Sequence, residues 1–310
     1  MHRHVPPFDI SNESILHLGD RVKSDWIARL KNAAAEASAE EVMTAPKPGL
    51  VDPLTPGCHT DMDWRLFIIS CAAIAPFWED QARTGIEGTE PCRAMEKLRC
   101  VGLKAEKAMF DATKGINTHK GLIYLMSLLL YGAGRTIFLG EPMTSQKILF
   151  HASEPVMESA PAEFASIEGK KTEDLTNGEK LYLKYGVTGV RGEAYRGFPS
   201  ISSGGLPELI KNLYAGVSKN DASISALLAI MELNEDSNVI HRGGYEYWKS
   251  EYRRIVRETR KKYIPASGER SAVTELEGKF KALRISPGGA ADLLCCTLFV
   301  YKITLTTCQQ

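Results

Sequence analysis

At 310 residues, with 38 basic and 38 acidic side chains and a formal charge of zero, the chain has no overall field to draw it to nucleic acid or an anionic membrane. Its length suffices for one large core, and no stretch reads as a linker between folded halves. Seven cysteines without CxxC spacing, an opening MHRHVPPFD without an apolar run, and a most apolar stretch (122–131) too short for a bilayer point to a cytoplasmic protein with reduced thiols.

Residues 1–24 are read as an N-terminal extension, poorly ordered, in which His2 and His4 are solvated rather than metal ligands. The remainder, 25–310, is read as a single domain. Residues 26–43 are rich in Ala, Glu and Lys, and 64–78 form an apolar stretch directly behind an aspartate-bearing loop; both predict helices. The segment 91–112 places Met95, Leu98, Val101, Ala105, Ala108 and Met109 on an apolar side with charge opposite. Further helices are expected over 118–135, 145–167, 174–185, 207–215, 221–233, 245–263, 272–283 and 290–306. Alternating β-branched segments are scarce, and the strand-like composition of CCTLFVYKITLTT continues a helix rather than starting a strand. The fold class is therefore all-α, a single globular domain of about ten helices with its functional groups on the loops between them.

Those loops carry the chemistry. Residues 45–63, APKPGLVDPLTPGCHTDMD, pack Lys47, His59, Asp52, Asp61 and Asp63 among prolines and glycines that forbid regular structure. GINTHKG (115–121), GVTGVRGEAYRGFP (186–199), NVIHRGG (238–244) and SPGGAADLL (286–294) add His119, Lys120, Arg191, Glu193, His241, Arg242 and Asp292. Five separated polar strings of complementary charge, set among long helices, suggest one composite site.

Taken in order, the strings KPGLVD with GCHTDMD, NTHKG, GVRGEA with FP, SNVIHRGG and SPGGAADLL resemble the triphosphoribosyl-dephospho-CoA synthase family. That family prepares the prosthetic group of citrate lyase and malonate decarboxylase. Three positions depart from its pattern: Pro53 stands where an arginine usually follows KPGLVD, Cys58 replaces an alanine and Ala290 replaces a serine. The missing arginine removes one phosphate contact, which Arg65 or another cation would have to supply.

The resemblance implies a transfer in which the 2′-hydroxyl of 3′-dephospho-CoA attacks the anomeric carbon of ATP and adenine leaves. It assigns phosphate contacts to Lys47, His119, Lys120, Arg191 and Arg242, with Asn117 and Ser286 at the adjoining helix starts, where free N–H groups and the positive dipole end favour anions. Asp52, Asp61 and Asp63 are the expected Mg²⁺ ligands, in competition with helix capping for Asp61 and Asp63. Glu193 and Asp292 are the candidates for proton transfer, against a structural clasp between Arg191 and Glu193 and an internal salt bridge for Asp292. An acyl carrier protein and the enzyme that attaches the prosthetic group are indirect partners, and a homodimer is the expected assembly if the chain is not monomeric. The alternatives are an ATP N-glycosidic hydrolase or transferase with another acceptor, and a non-catalytic nucleotide sensor. P-loop, dinucleotide-fingerprint, HExxH and GxSxG strings are missing; GAGRT at 132–136 lies within a helical stretch.

Overall fold

The computed structural model describes residues 19–308, so the first eighteen residues of the expected extension, with His2 and His4, lie outside the described part. Among the described residues there are fourteen α-helices and no strand. In chain order they are α1 (Asp20–Met43), α2 (Trp64–Ile74), α3 (Trp78–Ile86), α4 (Pro91–Ala112), α5 (Lys120–Phe138), α6 (Ser145–Glu168) and α7 (Asn177–Tyr185), followed by α8 (Gly189–Tyr195), α9 (Leu206–Tyr214), α10 (Lys219–Leu233), α11 (Ser237–Gly243), α12 (Arg253–Lys262), α13 (Ser271–Leu283) and α14 (Gly288–Cys308). The all-α expectation holds, with more and shorter helices than expected.

The differences have local causes. The stretch 64–78 breaks at Pro76, which removes a backbone donor, so α2 ends in a 3₁₀ turn (Ala75–Phe77) and α3 follows as a separate helix. The stretch 245–263 opens with a π-helical turn, Tyr247–Tyr252, before α12. Two strings read as loops contain short helices: GVRGEAY is α8 and SNVIHRG is α11. Seven residues are too few to display an apolar period, so glycine dominated the reading of both.

α5 is the central helix. Its residues from Leu122 to Ile137 are buried almost without exception, because α3 and α6 pack along it and α14 covers another side. α10 is likewise enclosed from Asp221 to Met231. One continuous apolar cluster runs from Ile27 in α1 to Ile303 in α14, which joins all these helices in one core. α5 and α14 have the length and composition of membrane-crossing helices, but 83% and 61% of those windows are buried inside the protein. A helix that is apolar all round is what the centre of a helical core requires.

The GAGRT string serves this packing. A Cβ on Gly134 would stand 2.6 Å from the Ala82 carbonyl oxygen of α3, and one on Gly132 would stand 2.6 Å from the Ala152 amide nitrogen of α6. Close backbone approach on two sides is the reason for both glycines, whereas Gly102 in α4 meets nothing nearer than 3.8 Å. Gly134→Ala should therefore lower stability by about 1–3 kcal/mol in urea unfolding. Gly102→Ala should raise it by about 0.5–1 kcal/mol, since it removes only unfolded-state freedom.

Candidate active site

All five strings, the third through Val190 alone, enclose one cleft of about 1090 Å³ with the start of α7. Its floor is formed where α1 ends and α5 and α14 begin. Glu41, in the last turn of α1, and Lys47 are both buried and form an ion pair; the Lys47 ammonium also donates to the Glu41 main-chain oxygen at 2.8 Å. The ammonium is therefore already neutralised within the protein, at a depth where breaking such a pair is costly.

His119 sits at the start of α5, 3% exposed, with Nδ1 2.7 Å from the Ser70 hydroxyl and its ring edge-on to Phe67. Thr118 donates to Ser70 Oγ at 2.7 Å, which joins the three side chains in one buried chain of hydrogen bonds. Burial, and next the charge of Lys47, push the His119 pKa down to about 3. His119 is thus neutral and brings no positive charge to a phosphate. Asn117 accepts from the Lys120 amide at 3.2 Å, closing the first turn of α5 as expected of an Asn near a helix start.

Asp292 projects from the second turn of α14 into the cleft and accepts the Leu122 amide at the start of α5. Its carboxylate fills the space where residue 121 would carry a side chain, so the glycine of NTHKG exists to admit the aspartate of SPGGAADLL. Burial, followed by repulsion from Glu41 and Asp236, raises the Asp292 carboxyl well above the carboxylate range. Its surroundings thus favour the protonated form over the carboxylate.

Asp236 is the residue the sequence reading missed. One carboxylate oxygen caps α11 through the amides of Asn238 (2.9 Å) and Val239 (3.3 Å); the other accepts the Ala290 amide of α14 at 3.0 Å and is also bonded to Gly289. The Asp-Ser-Asn order just before an apolar pair is an N-cap signature, overlooked because the string was counted from Ser237. Glu41 was missed for another reason: nothing in an Ala/Glu-rich helix distinguishes one buried glutamate from its exposed neighbours.

On the rim, His59 Nε2 lies 3.0 Å from Ser286 Oγ, and Cys58 donates to the Ile285 carbonyl at 2.9 Å. Cys58, a departure from the family pattern, thereby ties the first string to the last. Burial, and then Arg242, lower the His59 pKa. Asp61 is 59% exposed with only His59 Nδ1 nearby, at 3.9 Å. Lys120 lines the cleft but pairs with Glu106 at 3.0 Å, while Arg242 lines it and donates to the Arg284 main-chain oxygen at 3.2 Å. Arg284 itself was not singled out in the sequence.

Four expected site residues are not brought to the cleft. Asp52 is 1% exposed and accepts three amides of its own loop, from Lys47 (2.7 Å), Leu54 (2.8 Å) and Thr55 (3.0 Å). Asp63 caps α2 through the Leu66 amide at 2.9 Å, and Arg65 pairs with Asp63 rather than replacing the missing arginine. Among the described residues no group of three His, Cys, Asp or Glu side chains is arranged to hold a metal, so the three aspartates do not converge. Arg191 and Glu193 lie in α8, not in an extended loop, and point apart: Arg191 approaches Glu163 of α6 at 3.6 Å, while Glu193, 3% exposed, accepts the Ser200 amide (2.7 Å) and hydroxyl (3.0 Å).

The class is thus an all-helical protein with one charged cleft assembled from inter-helix segments. The sequence model of the ATP:dephospho-CoA triphosphoribosyl transferase family matches residues 27–309. The chain is 37% identical over 292 residues to a probable 2-(5″-triphosphoribosyl)-3′-dephosphocoenzyme-A synthase of Streptococcus equi subsp. zooepidemicus, covering 89% of this chain and 95% of that one. It is 35% identical over 269 residues to the corresponding synthase of Pectobacterium atrosepticum (86% of each chain), and 33% over 285 residues to that of Klebsiella pneumoniae (90% and 92%). No solved structure matches. The chain belongs to the ATP:dephospho-CoA triphosphoribosyl transferase family.

Glu193→Gln places an amide donor against the Ser200 donors. It should cost about 1–3 kcal/mol in urea unfolding while turnover per folded molecule stays within about twofold of wild type.

Proposed function

We infer that the protein transfers the triphosphoribosyl unit of ATP to the ribose 2′-hydroxyl of 3′-dephospho-CoA, releasing adenine. Family membership supports the reaction, and the observation that carries the site assignment is the place of Asp292, whose carboxyl reaches the cleft floor against Gly121 at the start of α5. The bond from the ATP anomeric carbon to adenine breaks with its electron pair leaving on the base. A new bond forms from that carbon to the acceptor oxygen, and the hydroxyl proton is released. The proton adenine gains equals the one the hydroxyl loses, so one carboxyl can donate to the leaving base, accept from the attacking hydroxyl and return to its starting state. Asp292 is suited to that role because burial, and then two neighbouring carboxylates, raise its pKa and so favour the protonated form. The neutral His119 and the internally paired Lys47 and Glu41 shape the floor beside it.

The donor set fits Mg²⁺ carried on substrate phosphates rather than in a protein cage: Asp61, exposed on the cleft wall, is the side chain free to hold it. Bound there, the ion would neutralise polyphosphate charge. The described cysteines are all unpaired, which supports a reducing, cytoplasmic setting. The acyl carrier protein of a lyase or decarboxylase enters only through a second enzyme that attaches the product.

Incubation with ATP, Mg²⁺ and 3′-dephospho-CoA should yield free adenine and a product heavier by one triphosphoribosyl unit on mass spectrometry; adenine without the adduct would replace the transferase reading with a hydrolase, and no adenine would reject both. Asp292→Asn should lower kcat by about 10²–10⁴ with ATP affinity retained, and the wild-type rate should fall as pH rises through the raised Asp292 pKa. The linkage sign also follows. A folded-state pKa above the unfolded value gives stability that is present below the unfolded value and lost as pH rises through the folded one. At neutral pH Asp292→Asn should therefore melt no lower than wild type.

A further inference from the structure

The cleft is lined by four lysines and arginines, Lys47, Lys120, Arg242 and Arg284. Two of these are committed to carboxylates, Lys47 to Glu41 and Lys120 to Glu106. Among the described residues neither Arg242 nor Arg284 forms an ion pair, and the polar contact between them joins the Arg242 guanidinium to the Arg284 main-chain oxygen at 3.2 Å. Two arginines without a carboxylate partner thus line the cleft, and the guanidinium of one is held at the backbone of the other. The field of Arg242 already acts on that wall, because it helps to lower the pKa of His59 and of the Cys58 thiol, the latter against the larger effect of burial.

The backbone at Arg284 is a second, independent sign. Arg284 ends α13 with φ 54° and ψ 34°, in the left-handed region where a glycine or asparagine sits with far less strain. A helix end alone would be served better by either. An arginine kept in that conformation, with its carbonyl orienting a second arginine, is a strained residue whose side chain accounts for its presence.

We propose that Arg242 and Arg284 form a two-arginine clamp for a polyphosphate at the wall of the cleft. The proposal rests on the transferase reading for its source of ligand, since ATP brings a triphosphate and 3′-dephospho-CoA a diphosphate. Planar guanidinium forks bind phosphate oxygens in a bidentate manner, and two of them match a chain of linked phosphates better than a single ion.

The test is Arg284→Asn, which retains the left-handed turn and removes the charge, with Arg284→Lys as the partial rescue. Melting temperature should stay at or above that of wild type, because strain is relieved. The KM for one substrate should rise about 10- to 100-fold, the equivalent of a lost charge-assisted contact, and Arg284→Lys should recover part of it. A rise confined to ATP seats the triphosphate in the clamp; a rise confined to 3′-dephospho-CoA seats the diphosphate. Inorganic tripolyphosphate binding, followed by calorimetry on wild type and Arg284→Asn, reads the clamp even if no transfer is seen, so the two failures separate. Unchanged KM values together with unchanged tripolyphosphate affinity would overturn the clamp, as would a KM change accompanied by a fall in melting temperature that Arg284→Lys does not reverse.

Discussion

One carboxylate between two helix starts organises the site. Asp236 accepts the first amides of α11 with one oxygen and the Ala290 amide of α14 with the other, which ties the starts of the two helices together. The consequences spread outward. α11 carries Arg242, α14 carries Asp292, and Asp292 in turn accepts the Leu122 amide of α5. Three helix starts are therefore linked through two aspartates. Burial pushes the Asp236 pKa up to about 6, against four backbone donors that hold it down, so the link is maintained by satisfied hydrogen bonds rather than by easy solvation.

In a helical protein the backbone groups left over at helix ends must find partners, and the positive ends of dipoles attract negative charge. Here two of the protein's own carboxylates occupy three of those ends, while the cleft between them holds few groups with unspent charge. Lys47 and Lys120 are paired, His119 is neutral, and burial favours the protonated form of Asp292. A highly anionic substrate then meets localised charge at a few positions instead of a diffuse cationic surface. Localised charge orients a ligand; a diffuse field only attracts it.

The scaffold behind the cleft is chosen for rigidity. α5 runs through the interior with α3 and α6 close on either side, made possible by Gly132 and Gly134, and its first turn forms the cleft floor. Glycine has a second use at position 121, where the missing side chain lets Asp292 reach the α5 amide. The stitching of Cys58 to Ile285 and of His59 to Ser286 then joins residues more than two hundred positions apart.

The sequence by itself determined the helical class, most of the long helices and the strings that would meet, because apolar period, proline and glycine act over a few residues and can be read there. Lys47, Asn117, His119, Lys120, Arg242, Ser286 and Asp292 were legible as cleft residues for that reason. Tertiary structure alone decided which charges remain available. Glu193 and Asp52 are as polar in sequence as Asp292, yet each is spent on amides buried away from the cleft, and Arg191 turns to α6 because α8 is a helix. Glu41 became visible only when distant segments closed around it, and the sequence could offer Asp236 as the cap of α11 but not as the partner of α14. Whether a titratable group is paired, neutral or free depends on its surroundings in space, and those are made by residues that no local pattern places beside it.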